Sequence, residues 1–308
     1  MKFRLLLILS VAGVTCSTAW AQAKGQNNFC TQTARAALQS CQVGAQSDLL
    51  LAQGKCDNVA DPAQRKACRQ QASADLKDGL DQCKAQQTVR QASCRPLGQQ
   101  PYDPVIDPAN FTDKIDNPMF PLVPGTTFVY EGQTSGGLVH TEFIVTHNTR
   151  QILGVTTVEV HDTVTTNGEL TEDTLDWLAQ DRDGNVWYFG ENTEELIGGR
   201  PTTLAGTFVA GENGARPGII MEAHPAIGDF YRQEFDLGNA EDFAEVSNLS
   251  ATVTVPFGTF TNCLQTTETT PLEPDLHEGK WYAPGVGNIL TQDLITGEKS
   301  ELIRIELR

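Results

Sequence analysis

VTTVEVHDTVTTNGELTEDTLDWLAQDRDGNVWYFGE, residues 155–191, decides the fold class. Its three runs rich in β-branched and aromatic residues are divided by Asn167-Gly168 and Asp183-Gly184, dipeptides that suit tight hairpin turns. The same pattern extends outward. Thr127–Tyr130, Phe230–Phe235 and Leu249–Val255 read as further strands, and Gly136-Gly137, Gly198-Gly199 and Thr296-Gly297 as further turns. Amphipathic helical periodicity is scarce. Residues 125–308 are therefore expected to be mainly β, an antiparallel barrel-like or strongly curved sheet.

Two-residue turns fix a register. With Asn167-Gly168 in such a turn, Glu159 falls opposite Asp176; with Asp183-Gly184 in another, Asp176 falls opposite Glu191. One face then carries Val158, Val160, Leu175, Trp177, Val186 and Tyr188, with Asp162 and Asp173 toward its edge, and reads as core. The other carries Glu159, His161, Glu172, Asp176, Leu178, Trp187, Phe189 and Glu191. Like charges directly opposite are destabilising, so a row of three carboxylates invites a cation, a shared proton or a basic side chain. Oxygen ligands favour calcium or magnesium over softer metals, with Ca2+ the cofactor expected if there is one, and His161 nearby adds acid–base capacity. Trp187 and Phe189 are the aromatic side chains expected to line a pocket there. The alternatives are a hydrated acidic surface and a pair of catalytic carboxylates. A one-residue bulge would dissolve the row.

Composition narrows the partners. The chain of 308 residues has a formal net charge of −17. Residues 101–308 hold ten Lys/Arg against thirty-three Asp/Glu, which argues against nucleic acid or anionic membranes and allows cations or a basic partner.

Upstream, six cysteines lie between residues 30 and 94. Nested from the outside in, Cys30 with Cys94, Cys41 with Cys83 and Cys56 with Cys68 share one midpoint, residue 62. That is the pattern of two antiparallel rods folded at Asp61-Pro62. The flanks are rich in Ala, Gln, Leu, Lys and Arg, which favours helices. Residues 22–95 are thus expected to form a disulfide-stapled antiparallel helical hairpin, packed closely through Ala34, Ala37, Ala45, Ala67, Ala74 and Ala85. The hairpin reads as a spacer or as an arm for an envelope partner. Seven of the fifteen prolines fall in residues 96–124, which read as an extended linker.

Residues 1–21 read as a signal peptide: Lys2 and Arg4, an apolar run from Leu5 to Val14, and Ala19-Trp20-Ala21 before the cleavage point. The run is too short to span a bilayer. Lipidation of Cys16 is the rival reading, and Gly13-Val14-Thr15 fits it poorly. The expected location is periplasmic or secreted, with no membrane span.

Several motifs carry resemblance. Asp116-Asn117-Pro118, then Phe120 through Thr127, then Tyr130-Glu131-Gly132, together with Gln180 through Glu191 and Trp281 through Gly287, resemble a signature of secreted bacterial β-rich proteins of unassigned function. Val255 through Phe260, followed by Cys263, is similar to a strand motif of envelope β-sheet proteins. The resemblance spans roughly residues 115–305 and implies no catalytic residues.

Weaker candidates complete the reading. Asp181 through Asn185 has a calcium-loop flavour but its glycine comes too early, so a hairpin turn is expected. Met221 and His224 could suggest copper, against ordinary packing. Cys263 reads as an inert core thiol. No serine sits in GxSxG. The function expected is an exported protein that binds a small ligand or divalent cation through its acidic β domain. A carboxylate-dependent hydrolase or isomerase is the alternative, and an envelope interaction protein without a small ligand a third.

Overall fold

The computed structural model describes residues 28–112 and 114–307. The expected signal segment and Cys16 lie outside the described residues. Helices α1 (Phe29–Asp57) and α2 (Pro62–Leu97) run antiparallel. Asp61 caps α2 by accepting a hydrogen bond from the Gln64 amide at 2.8 Å, with Pro62 at the first helical position. Cys30–Cys94, Cys41–Cys83 and Cys56–Cys68 are bonded, with Cα separations of 5.6, 5.7 and 5.6 Å. Helices this close need small side chains between them. Ala34, Ala37 and Ala72 are buried there. Ala67 and Ala74 instead face solvent, because the helical phase of α2 turns Ala72 inward.

The proline-rich segment is a packed part of the β body. Its two-residue strand β1 (Phe111–Thr112) pairs with Gln180–Asp181. A meander follows: β2 (Thr126–Thr134), β3 (Gly137–Ile152), β4 (Val155–Thr166), β5 (Glu169–Asp181) and β6 (Val186–Ile197). The short strands β7 (Arg200–Thr203), β8 (Phe208–Val209) and β9 (Arg216–Met221) all pair with β6. After β10 (Phe230–Arg232) and β11 (Glu234–Phe235), a second meander runs through β12 (Phe243–Val255), β13 (Gly258–Thr269), β14 (His277–Ala283), β15 (Gly287–Asp293) and β16 (Lys299–Leu307).

Two junctions bring this antiparallel sheet close to a full barrel. β16 pairs with β2 along its length. At the other seam, residues 230–235 bridge the gap: β10 bonds to β12 and β11 bonds to β9. The seam is tight at Gly218, where a Cβ would lie 2.3 Å from the Gln233 carbonyl carbon. Only glycine lets the two backbones approach this closely.

The barrel buries side chains on both faces. Inside, Val145, Val158, Val160, Leu178, Val186, Met221, Leu264 and Leu302 form the main core. Outside, Trp177, Ala179 and Phe189 pack with Ile152 and Val155 under Ile106 and Phe111 of the proline-rich segment. Phe111 meets the Phe189 ring edge-on at 5.4 Å. Phe120 and Leu122 pack against the inner core and line the lumen, held by the bridge from Ile115 to Leu122 and by the Gly285 amide donating to Pro118.

The hairpin docks on this body through a buried ion pair. Arg90 Nη2 lies 2.7 Å from Glu241 Oε1, and the two side chains are 4% and 2% exposed. The Arg90 Nε–H also reaches both carboxylate oxygens at 3.1 Å. Removing one partner of such a pair leaves an uncompensated buried charge. Arg90→Ala is expected to destabilise the protein by about 3–5 kcal/mol, read as a shift in the denaturant midpoint. Arg90→Met combined with Glu241→Gln should recover most of the loss, and no recovery would refute this account of the interface.

Candidate functional site

The lumen contains a cavity of about 530 Å3. Its wall is unequal. Phe120, Leu122, Phe128, Phe143, Leu178 and Ile220 supply apolar surface. Eight carboxyl side chains and a single lysine supply the rest.

Two bulges bring carboxylates into this interior. β4 leaves the Asn167-Gly168 turn in the expected register, with Thr166 opposite Glu169 and Thr165 opposite Leu170. Thr171 is then skipped, so Val164 faces Glu172, Val160 faces Asp176 and Glu159 faces Trp177. The loop before β6 is longer than a two-residue turn, and Leu178 pairs with Tyr188. A second bulge at Phe189 restores Asp176 opposite Glu191. Gly190 makes this bulge possible: its φ is +152°, and a Cβ would lie 2.4 Å from the Phe208 carbonyl oxygen.

The row of Glu159, Asp176 and Glu191 is therefore not formed. Asp176, Glu191 and Glu172 line the cavity together. Glu159 is on the outer face, where it accepts from Thr146, Asn148 and the Trp177 indole. His161 is also outside, 2.8 Å from Asp173 Oδ1. Trp187 and Phe189 belong to the outer cluster and not to the cavity wall. The face expected to be core is the lumen face, except that Asp173, Leu175 and Trp177 leave it and Glu172, Asp176, Leu178 and Glu191 join it.

Asp176 and Glu191 meet at one phenol. Tyr188 Oη lies 2.5 Å from Asp176 Oδ1 and 3.1 Å from Glu191 Oε2. A phenol has one hydrogen to donate. Both contacts are hydrogen bonds only when one carboxyl is protonated and donates back to the phenol oxygen. Burial pushes the Asp176 carboxyl up to about 7, against the Tyr188 hydrogen bond that lowers it. Burial and then the Asp176 charge push Glu191 up to about 8. At neutral pH the pair therefore holds one shared proton.

Neighbours extend the acid wall. Asp162 on β4 and Glu234 on β11 are raised well above the ordinary carboxylate range, chiefly by burial and next by Asp176 and Asp242 respectively. Burial holds Asp242 at about 6, with the Thr270 hydrogen bond opposing. Two atoms here lack protein partners: Asp162 Oδ1, and Nε2 of Gln233, a residue 2% exposed that lines the cavity. Across the lumen, Glu268 is satisfied by Lys280 Nζ at 2.7 Å, Thr266 at 2.9 Å and Tyr282 at 3.2 Å. Burial opposes a charged Lys280, but Glu268 and Glu278 hold it firmly protonated. The cation present is thus already committed to two carboxylates, while the Asp176 side has none of its own.

Metal readings find no geometry. Among the described residues, no three His, Cys, Asp or Glu side chains converge to hold a metal ion. Asp181 spends its oxygens on the Asn185 amide and side chain and on the Trp187 indole, each at 2.9 Å. Met221 is core and His224 is exposed. Cys263 is a buried free thiol.

No protein-family model and no curated protein matches the chain. A solved structure from Parabacteroides distasonis, provisionally described as a lipoprotein, aligns with 61% of this chain and 98% of its own at 16% identity and a TM-score of 0.34. A likeness that distant carries no argument about fold or function.

The raised carboxyls link stability to pH. A carboxyl whose folded pKa exceeds its unfolded value binds more protons folded than unfolded, so its contribution is complete below the unfolded pKa and is lost as pH rises through the folded pKa. For Asp242, Asp176 and Glu191 the loss runs from about 4 up through about 6, about 7 and about 8. The melting temperature is expected to fall between pH 5 and pH 9. Asp176→Asn with Glu191→Gln should flatten that fall; an unchanged slope would show that these two groups titrate normally.

Proposed function

We propose that this protein is an extracytoplasmic binding protein whose barrel lumen holds a small organic ligand. The observation that carries the reading is the cavity itself. Its volume of about 530 Å3 suits a small molecule, and it sets an apolar wall against a wall of eight carboxyls with one lysine. Such a site favours a ligand with an apolar body and a polar end rich in hydrogen-bond donors. The three disulfides fit folding in an oxidising compartment, and export through the amino-terminal signal completes the proposal. Among the described residues no helix is long and apolar enough to cross a membrane. The surplus of acid on residues 101–308 would also draw cationic solutes toward the barrel.

Thermal-shift screening with small amphipathic compounds tests this reading. At a ligand concentration a hundredfold above Kd, binding to the native state is expected to add about 2.7 kcal/mol of stability. Ile220→Trp, which fills part of the lumen, should abolish the shift while the free variant still melts cooperatively. Shifts that persist in that variant would place binding elsewhere, and the absence of any shift in the unmodified protein would overturn the proposal.

A further inference from the structure

The Asp176–Tyr188–Glu191 cluster has a feature that a hydrophobic binding cavity does not require. Two carboxyl groups share one phenol, and every other charged group near them is acidic or already committed. Glu172 stands on the same strand, Asp162 on β4, and Glu234 and Asp242 across the seam. Lys280 is bound to Glu268, and His161 lies on the outer face against Asp173. With no uncommitted cation in reach among the described residues, a proton holds the cluster together. Gln233, 2% exposed, lines the same cavity, and its amide Nε2 has no partner in the protein. A buried polar group without a partner costs stability unless something satisfies it.

We propose that this cluster is the subsite for a primary ammonium group, which takes the place of the shared proton, and that Gln233 donates to an acceptor on the same ligand. This rests on the lumen being the binding site. An ammonium carries three donors, enough for Asp176, Glu191 and the Tyr188 oxygen at once, with both carboxyls ionised. The expelled proton passes from Glu191 to bulk water. The ligand class is then an amine bearing an apolar body and a hydroxyl or carbonyl near the nitrogen. Binding strengthens as pH rises toward the range where Glu191 ionises unaided, and weakens on acidification.

Phenylethanolamine and its neutral counterpart styrene glycol form a matched pair of probes: ring and hydroxyl are common, and only the ammonium differs. Isothermal titration between pH 7 and 8, where Asp176 and Glu191 share the proton, is run in phosphate and in Tris. The expected result is an enthalpy for the amine that differs between buffers by the amount that proton release requires, with affinity at least about tenfold above that of the glycol. Asp176→Asn with Glu191→Gln should cancel the proton release and the amine's advantage over the glycol. Amine binding with a buffer-independent enthalpy, or an equal loss for both probes in the variant, would overturn the subsite. Binding of the glycol alone would leave the lumen reading standing and remove the ammonium from it. Failure of both probes would remove the ammonium subsite and leave the lumen reading to the thermal-shift screen.

Discussion

Carboxylates can be buried in a protein in two ways, and this barrel uses both. One is to give the carboxylate a cation and several donors, as Glu241 receives from Arg90 and the Gly238 amide, and as Glu268 receives from Lys280, Thr266 and Tyr282. The other is to keep the proton. Asp176 and Glu191 are held that way around Tyr188. The eight carboxyls around the cavity have one lysine among them, so charge neutrality inside the sheet demands protons or a cation brought from outside. Every functional reading of the molecule follows from that deficit.

The rest of the fold holds the deficit in place. The acid wall faces one shared lumen because the sheet is joined at two seams, one by the long pairing of β16 with β2 and one by residues 230–235 reaching both edges. Phe120 and Leu122 line that lumen, and the outer cluster of Trp177, Phe189 and Phe111 packs against the bulged strands that carry Asp176 and Glu191. The hairpin is tied in by a pair that would be costly to break. Its far half, with Val43, Leu50 and Leu51 in solvent, makes no contribution to the cavity.

Much of this was legible in the chain. The common midpoint of the cysteine pairs encodes the hairpin, because antiparallel helices of equal rise make nested cross-links, and alternation with Gly-containing turns encodes the sheet. The site was legible only in part. Asp176, Glu191 and Glu172 stand out as carboxyls among strand residues, but the skipped Thr171 and the bulge at Phe189 decide which of them turn inward, and backbone bulges leave little mark beyond a glycine such as Gly190. By that single residue of slip Glu172 and Asp176 turned inward and parted from Glu159 and His161. Glu268 and Lys280 escaped notice for another reason. Each sits two residues from a buried side chain, Thr266 or Tyr282, so period-two alternation places both in the lumen; that they share one cavity with Asp176 depends on barrel closure, which no local pattern reports.

The central claim is that a carboxyl group inside this barrel stays protonated at neutral pH. Infrared difference spectroscopy in heavy water reads that state directly through the carbonyl stretch of a protonated carboxyl. The account predicts such a band at pH 7, weakening as pH passes the region near 8 assigned to Glu191, with that pH-dependent part absent from the Glu191→Gln spectrum. A spectrum at pH 7 containing carboxylate bands alone would contradict it.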